Sequence, residues 1–390
     1  MDNKKSKIFT ILITFLIIVG IAFGFRDYAM RHIMVDFDEP KYINLALQYT
    51  NAIRASDYSQ FRTITYNAEH PFLAKLVYAV ALLPTTPIDR ILKKDLDALK
   101  PVTYDGRAYV YAARRSSVII GAITAGLLAL LSPFAGLLLA IQTSAIHYTS
   151  VVYYEALPAL MSTCSVLCYL MWRKKYKAEK SPLFRGKVDL WMLASAIFFG
   201  WAVAGKYTYG LVGIAILIDY GLMHVKHRKN WIPAIIRIGI WGALAVVVFY
   251  YSDPMIWDNP RERIMLSLHF HYNYSQSDAV TKYGYPWWQP LAWLVKQHWR
   301  YDPAFLFNAD AFILGLSALG IPLTFKKYRV IAIWLVMTLA FLLIWDTKWP
   351  QYILMLVTPL CLSAGIALQE IMRFTWQKIR KKTNRFQAES

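Results

Sequence analysis

Asp36, Asp38, Glu39, Glu69 and His70 gather between Val35 and Lys75, in a chain whose other long stretches are mostly apolar. Carboxylates beside a bilayer are costly unless they are solvated or employed. The stretch opening "VDFDEPKYINLALQY" and closing "NAEHPFLAK" therefore reads as the chemical end of a membrane protein. A carboxylate at a membrane cleft can accept the proton of an attacking hydroxyl. Asp38-Glu39-Pro40 can also simply begin a helix, since it offers an N-cap type, an acid for the first turn and an early proline. The two roles are compatible. His70, before Pro71, is either a positioning residue or a polar entry to a helix.

The cations come next. Arg114 and Arg115 stand at the outer end of an apolar span, Lys206 lies in "AGKYTYG" and Lys348 in "WDTKWPQY". A guanidinium at headgroup level matches a phosphate bidentately and keeps its charge. Cations at three helix ends facing a carboxylate-bearing loop fit an anionic lipid headgroup, and they equally fit unrelated snorkelling anchors. A metal would need three or four ligands. The "HFH" of His269 and His271 lacks partners at such spacing, so no metal site is expected. Cys164, Cys168 and Cys361 fall inside apolar spans and read as packing residues.

These groups need a scaffold. The chain is 57% hydrophobic and 15% aromatic, and runs of roughly 20 apolar residues recur along it, each enough for a ~30 Å hydrocarbon layer. Backbone in lipid must satisfy its own hydrogen bonds, so the runs are helices and the class is an all-α polytopic membrane protein. The pieces 1–7, 173–187, 224–230, 324–329 and 371–390 hold 22 of the 43 Lys/Arg and three of the 24 acids, so the whole excess of +19 lies there. That alternation predicts both termini in the cytoplasm and the acid stretch outside. It assigns the positive charge to orientation and lipid headgroups, and makes nucleic acid an improbable partner.

Spans are predicted at 8–25 (an uncleaved anchor), 109–131, 133–148, 154–172, 189–206, 208–223, 231–252, 304–323, 330–346 and 351–370, about ten crossings. The transmembrane domain is taken as 1–371, with extracytoplasmic loops 26–109 and 253–303 and a basic cytoplasmic tail, 372–390. Within the first loop, Tyr42, Ala46, Tyr49 and Ile53 make one stripe of a short amphipathic helix. Pro71 to Pro84 is too short to cross and reads as interfacial or re-entrant. In the second loop "PWWQPLAWLVKQHW" is an interfacial signature.

The run "DEPKYINLALQY", followed later by "HPFLAKLVYA", resembles the protein O-mannosyltransferase family, with its D-E pair and its H-P-P-L-x-K element. "YVYAARRSSVIIGA" resembles that family's arginine-bearing second span and places the family arginine on Arg114. "GWAVAGKYTYG" is similar to its lysine element, and "KWPQYILMLVTPLCLSAG" to its final span, with Tyr352 at the outer end. Phe72 stands where the second proline is usual, Val118 where Ala is usual, and Glu155 where relatives often have Asp. The resemblance implies a GT-C fold and a glycosyltransferase of short prokaryotic type. It would move a hexose such as mannose from a polyprenyl- or dolichyl-phosphate carrier to an acceptor hydroxyl of a protein or glycan on the outer face. On it, Asp38 is the base, Glu39 and Glu69 shape the site or touch the acceptor, and His70 positions. Arg114 clamps the phosphate with Lys348 in support, and Lys206 adds a third cation. No cofactor is implied, although other GT-C enzymes use a divalent metal. A cell-wall polymer or lipid is an alternative acceptor. A lipid-linked-sugar flippase is an alternative of another class; Arg237 and Asp310, charges within spans, both lie near span ends.

Overall fold

The computed structural model describes residues 2–64, 66–179, 189–225, 231–295 and 308–389, and these are helical with connecting loops. The first helix, α1 (Asp2–His32), is followed by α2 (Glu39–Arg54), α3 (Gln60–Thr63) and α4 (Phe72–Leu82). Then come α5 (Arg107–Ala129), α6 (Pro133–Ile141), α7 (Thr143–Tyr148), α8 (Ala156–Glu179), α9 (Leu190–Gly205), α10 (Leu211–His224) and α11 (Trp231–Tyr251). The second loop folds into α12 (Pro260–Ser275), α13 (Asp278–Thr281) and α14 (Gln289–Val295), and the chain closes with α15 (Asp310–Ile344) and α16 (Leu354–Glu389).

Among the described residues, five stretches are long and apolar enough to cross a membrane: Ser6–His32, Arg107–Ala129, Trp231–Tyr251, Asp310–Ile344 and Pro350–Arg380. The predicted spans 154–172, 189–206 and 208–223 are present as the helices α8, α9 and α10. The span expected over 133–148 is broken at Gln142, whose extended backbone separates α6 from α7 and whose side chain caps α7 at Ala145. A break inside apolar surroundings leaves carbonyls without partners. The fully buried Arg26 supplies them, donating to Leu139 O and Ala140 O at 3.1 and 3.3 Å. The predicted spans 304–323 and 330–346 fall in one helical element, α15, interrupted at Tyr328 (φ −139°, ψ 64°). Residues 304–307 lie outside the described residues, as does the end of the aromatic stretch beyond Val295. The predicted basic tail continues α16 without a boundary, one helix running from Leu354 to Glu389.

The elements pack through small residues. α15 lies along α16, α8 along α9 and α1 along α5. Gly320 and Gly365 leave no room for a Cβ against Ser363 and the backbone of Ala135, the close approach that association in lipid favours. The amphipathic helix expected after Asp38 is present as α2, but its buried face is wider than one stripe. Ile43, Leu47 and Thr50 are as buried as Tyr49, because α2 is pressed between α4 and the bundle. α4 falls within the stretch 71–84, where a short apolar helix was expected.

The two ends of the bundle differ chemically. Asp310, at the start of α15, accepts from Thr143 N at 3.0 Å, and Trp345, just past its end, lines the same cavity as Lys206. Midway along it, Lys327 meets Glu370 at 3.5 Å and Arg329 meets Asp219 at 2.6 Å. The chain therefore reverses at Tyr328, and α15 is a helical hairpin with both tips at the acid-bearing end. Arg173, Lys327, Arg329 and Arg373 mark the other end.

Candidate active site

Asp36, Asp38 and Glu39 are adjacent in sequence and occupy three environments. Glu39 opens α2 with no measurable exposure and forms a bidentate pair with Arg114 of α5, Oε1 to Nε at 2.8 Å and Oε2 to Nη2 at 2.5 Å. Its remaining acceptor sites take the amides of Val152 at 2.8 Å and Asp36 at 2.7 Å. Arg114 gives its other N–H groups to the carbonyls of Met30, Ile33 and Met34 at 2.7 to 2.9 Å. All five guanidinium protons thus have partners inside the protein. The geometry differs from what was expected of either residue: every donor of Arg114 is engaged within the protein, and Glu39 is fully enclosed. The pair instead ties the end of α1, the acid motif, α5 and the 149–155 turn into one frame.

Asp36 belongs to the same frame. Its Oδ2 is 2.7 Å from His147 Nε2, and its Oδ1 accepts from Tyr153 OH at 2.8 Å and Phe37 N at 2.6 Å. Burial alone would raise this carboxyl's pKa; the contacts from His147 and Tyr153 outweigh it and hold the group below the usual range.

Asp38 is different. It precedes α2, yet its side chain makes no capping bond, and its one ion pair is with the exposed Lys41 at 3.6 Å. Partly buried, it faces a polar cleft of about 150 Å³ shared with Asn67, Glu69, His70, Lys206, Tyr274 and Trp349. Burial pushes its pKa above the usual carboxylate range, with Lys41 opposing and Asp36 reinforcing the shift. The turn before α4 supplies the opposite wall. Asn67 takes the left-handed conformation (φ 55°) that Asn tolerates better than most residues, and its amide donates to Glu69 Oε1 at 2.6 Å. Buried Lys75 fastens this turn, donating to Asn67 O and His70 O at 2.7 Å each. His70 is held well below its ordinary pKa, chiefly by burial and then by Lys206, His271 and Lys75, so its imidazole is neutral at pH 7. His271 is lowered to about 4 by burial and Lys206.

A second cavity of about 560 Å³ adjoins this cleft and shares His70, Lys206, His271 and Tyr352 with it. Its other walls are mostly apolar, Leu211, Ile214, Leu268, Phe341 and Met355 among them, with Thr208, Ser275 and Asp346 as polar members. Lys206 sits at the junction, paired with Glu155 and 4.7 Å above the Tyr352 ring. Lys348 is not there. Its ammonium caps the end of α15 through the carbonyls of Leu342, Leu343 and Trp345, and all three protons are taken. Of the cations expected to face a headgroup, Lys206 alone reaches both cavities.

Neither a protein-family model nor a curated protein sequence matches this chain. Solved structures do. ArnT from Cupriavidus metallidurans bound to undecaprenyl phosphate superposes with a TM-score of 0.59 at 17% identity, over 94% of this chain and 61% of that one. The apo state of the same protein gives 0.54 at 17%, over 96% and 62%. The chain has the fold of ArnT, a GT-C membrane fold. It spans about three fifths of ArnT's length.

Within this ArnT-like fold, Asp38, Glu69, His70, Glu155, Lys206 and Tyr352 come together, whereas Asp36, Glu39 and Arg114 belong to the frame and Lys348 caps α15. Sequence reasoning missed His147, Tyr153, Tyr274 and Trp349. Of the aromatic residues, Tyr274 had a weak signal in the Trp/Tyr-rich second loop. His147 had none, since a lone histidine near the end of an apolar run gives no hint of a partner 111 residues away.

Proposed function

We propose that this protein is a membrane glycosyltransferase that moves a sugar from a polyprenyl-phosphate carrier to an acceptor hydroxyl. The observation that carries the reading is the meeting of an apolar cavity with an acid-lined cleft at one buried lysine. A prenyl chain fits the apolar walls, its phosphate falls beside Lys206, and the sugar reaches into the cleft toward Asp38. The solved ArnT complex with undecaprenyl phosphate supports a donor of this chemistry. The acceptor oxygen attacks the anomeric carbon with inversion, Asp38 takes its proton, and the carbon–oxygen bond to phosphate breaks. Phosphate leaves as an anion, so a cation beside it lowers the barrier more than a general acid would. Glu155 and Tyr352 hold the lysine in place, and neutral His70 lines the sugar.

The finer reading rests on the resemblance to the O-mannosyltransferases: a hexose, mannose foremost, delivered to Ser/Thr of a protein or to a cell-wall glycan. The charge distribution supports an extracytoplasmic cleft with cytoplasmic termini. The test is turnover by purified protein in detergent. Polyprenyl-phosphate mannose and glucose are compared with the corresponding sugar nucleotides, on a Ser/Thr peptide and on a glycan acceptor, each with and without chelator. Release of polyprenyl phosphate coupled to sugar transfer is expected from the lipid donors alone. Transfer from a nucleotide donor would overturn the reading; loss of activity with chelator would add a metal to it.

A further inference from the structure

A third cavity, of about 600 Å³, lies at the basic end of the bundle, among the ends of α5, α8, α9 and the Tyr328 hairpin. Its walls are apolar, with Leu127, Leu131, Leu167, Cys168 and Phe198 among them, and its rim carries Arg173, Lys174 and Lys327. Leu130, Met171 and Trp191 line it with 43–46% of their surface exposed, so it opens sideways, where lipid would lie, and Trp191 stands at its mouth.

The rim charge is in excess. Buried Asp219 answers both Arg173, at 3.0 Å, and Arg329, at 2.6 Å, and also accepts from Tyr169 OH at 2.8 Å. Glu370 answers both Lys327 and Arg373, at 3.5 Å each. Lys174 is exposed and has no carboxylate partner among the described residues. Two carboxylates therefore serve four cations, with Lys174 unanswered beside them. An apolar groove under such a rim complements a molecule with hydrocarbon tails and an anionic head.

We infer that this groove is a binding site for an anionic glycerophospholipid. The catalytic cleft is at the opposite end, so the site is separate from the donor's. Between phosphate-bearing lipids, mass action favours the one that makes up the bulk of the leaflet. Trp191 at the mouth is the residue type that settles at headgroup depth.

The experiment uses the full chain in neutral detergent and follows thermal unfolding against added lipid. Phosphatidylglycerol raises the midpoint in a saturable way, and phosphatidylcholine at equal concentration does not. Lys174→Ala combined with Lys327→Ala weakens the apparent affinity roughly tenfold or more, since each surface charge contributes to anionic-lipid attraction. Cys164→Phe, which fills the groove from a half-buried position, abolishes the response while the rim charge is kept. Equal stabilisation by phosphatidylcholine, or an unchanged response in both variants, overturns the proposal. So does displacement of phosphatidylglycerol by equimolar undecaprenyl phosphate, which would make the groove a second carrier-lipid site. None of these readouts depends on glycosyl transfer.

Discussion

The frame around Glu39 and the cleft around Asp38 use the same residue types to opposite ends. In the frame every charged atom is answered: Arg114 has five acceptors, and Glu39 receives four donors. In the cleft the answer is partial. Among the described residues, Asp38 has one long ion pair and one oxygen of Glu155 is buried without a hydrogen-bond partner. Full satisfaction makes a group inert and rigid. Partial satisfaction leaves a group able to take a proton or to change partners with a ligand. The lesson is that neighbouring acids in a D-E pair are sorted by how many donors the fold aims at each.

The sharpest way to break this contrast is Asp38→Asn. General-base assistance is worth on the order of 10²–10⁴-fold, so turnover should fall by that factor. The thermal midpoint should barely change, because the carboxylate caps nothing. A variant with a clearly lowered thermal midpoint that keeps its specific activity would move Asp38 into the frame.

Arg114→Ala tests the other side. It strands a buried carboxylate and three carbonyls, and breaking a buried pair from one side costs roughly 3–5 kcal/mol. Chemical denaturation should show that loss. Arg114→Lys should recover little, since an ammonium cannot reproduce the planar fork. A stable, folded Arg114→Ala that has lost only donor affinity would restore the phosphate-clamp expectation.

How the frame could be read in the sequence bears on the next variant. The fold class, the acid cluster and the two arms of the hairpin were legible because they rest on hydrophobic periodicity, residue type and turn residues, which are local. The partnership of Glu39 with Arg114 was not, since both roles open to a headgroup-level arginine look alike along the chain. The contacts of Lys348 were hidden for the same reason: "DTKWP" does not say that α15 ends four residues earlier with carbonyls in need of a donor. The break at Gln142 was hidden by an unbroken apolar run, and only the distant Arg26 reveals why it is tolerated.

His147 is the frame member with no sequence signal, and His147→Phe measures what it holds. A charge-assisted hydrogen bond to a carboxylate is worth about 1.5–3 kcal/mol, and a loss of that size is expected at neutral pH. The sign with pH follows from Asp36, whose folded pKa is depressed. Its contribution is present above the unfolded carboxylate pKa and disappears as pH falls through the folded one. The gap between wild type and variant should therefore close on acidification. A gap that is constant with pH would make His147 a packing residue.

Lys41→Met has the smallest expected effect and tests the cleft side of the comparison. Lys41 is the cation opposing the burial that raises the Asp38 pKa, and its ammonium lies 3.6 Å from the carboxylate. Removing it must move that pKa further up, because the charged form loses its nearest partner while burial and Asp36 remain. A general base works deprotonated, so the acid limb of kcat/KM should shift to higher pH, with the plateau rate at alkaline pH little changed. The shift should be modest and should shrink with added salt, since 54% of the Lys41 side chain is exposed and solvent screens the pair. A limb that moves to lower pH, or that ignores Lys41 at every ionic strength, would mean that the titrating base is a carboxylate other than Asp38.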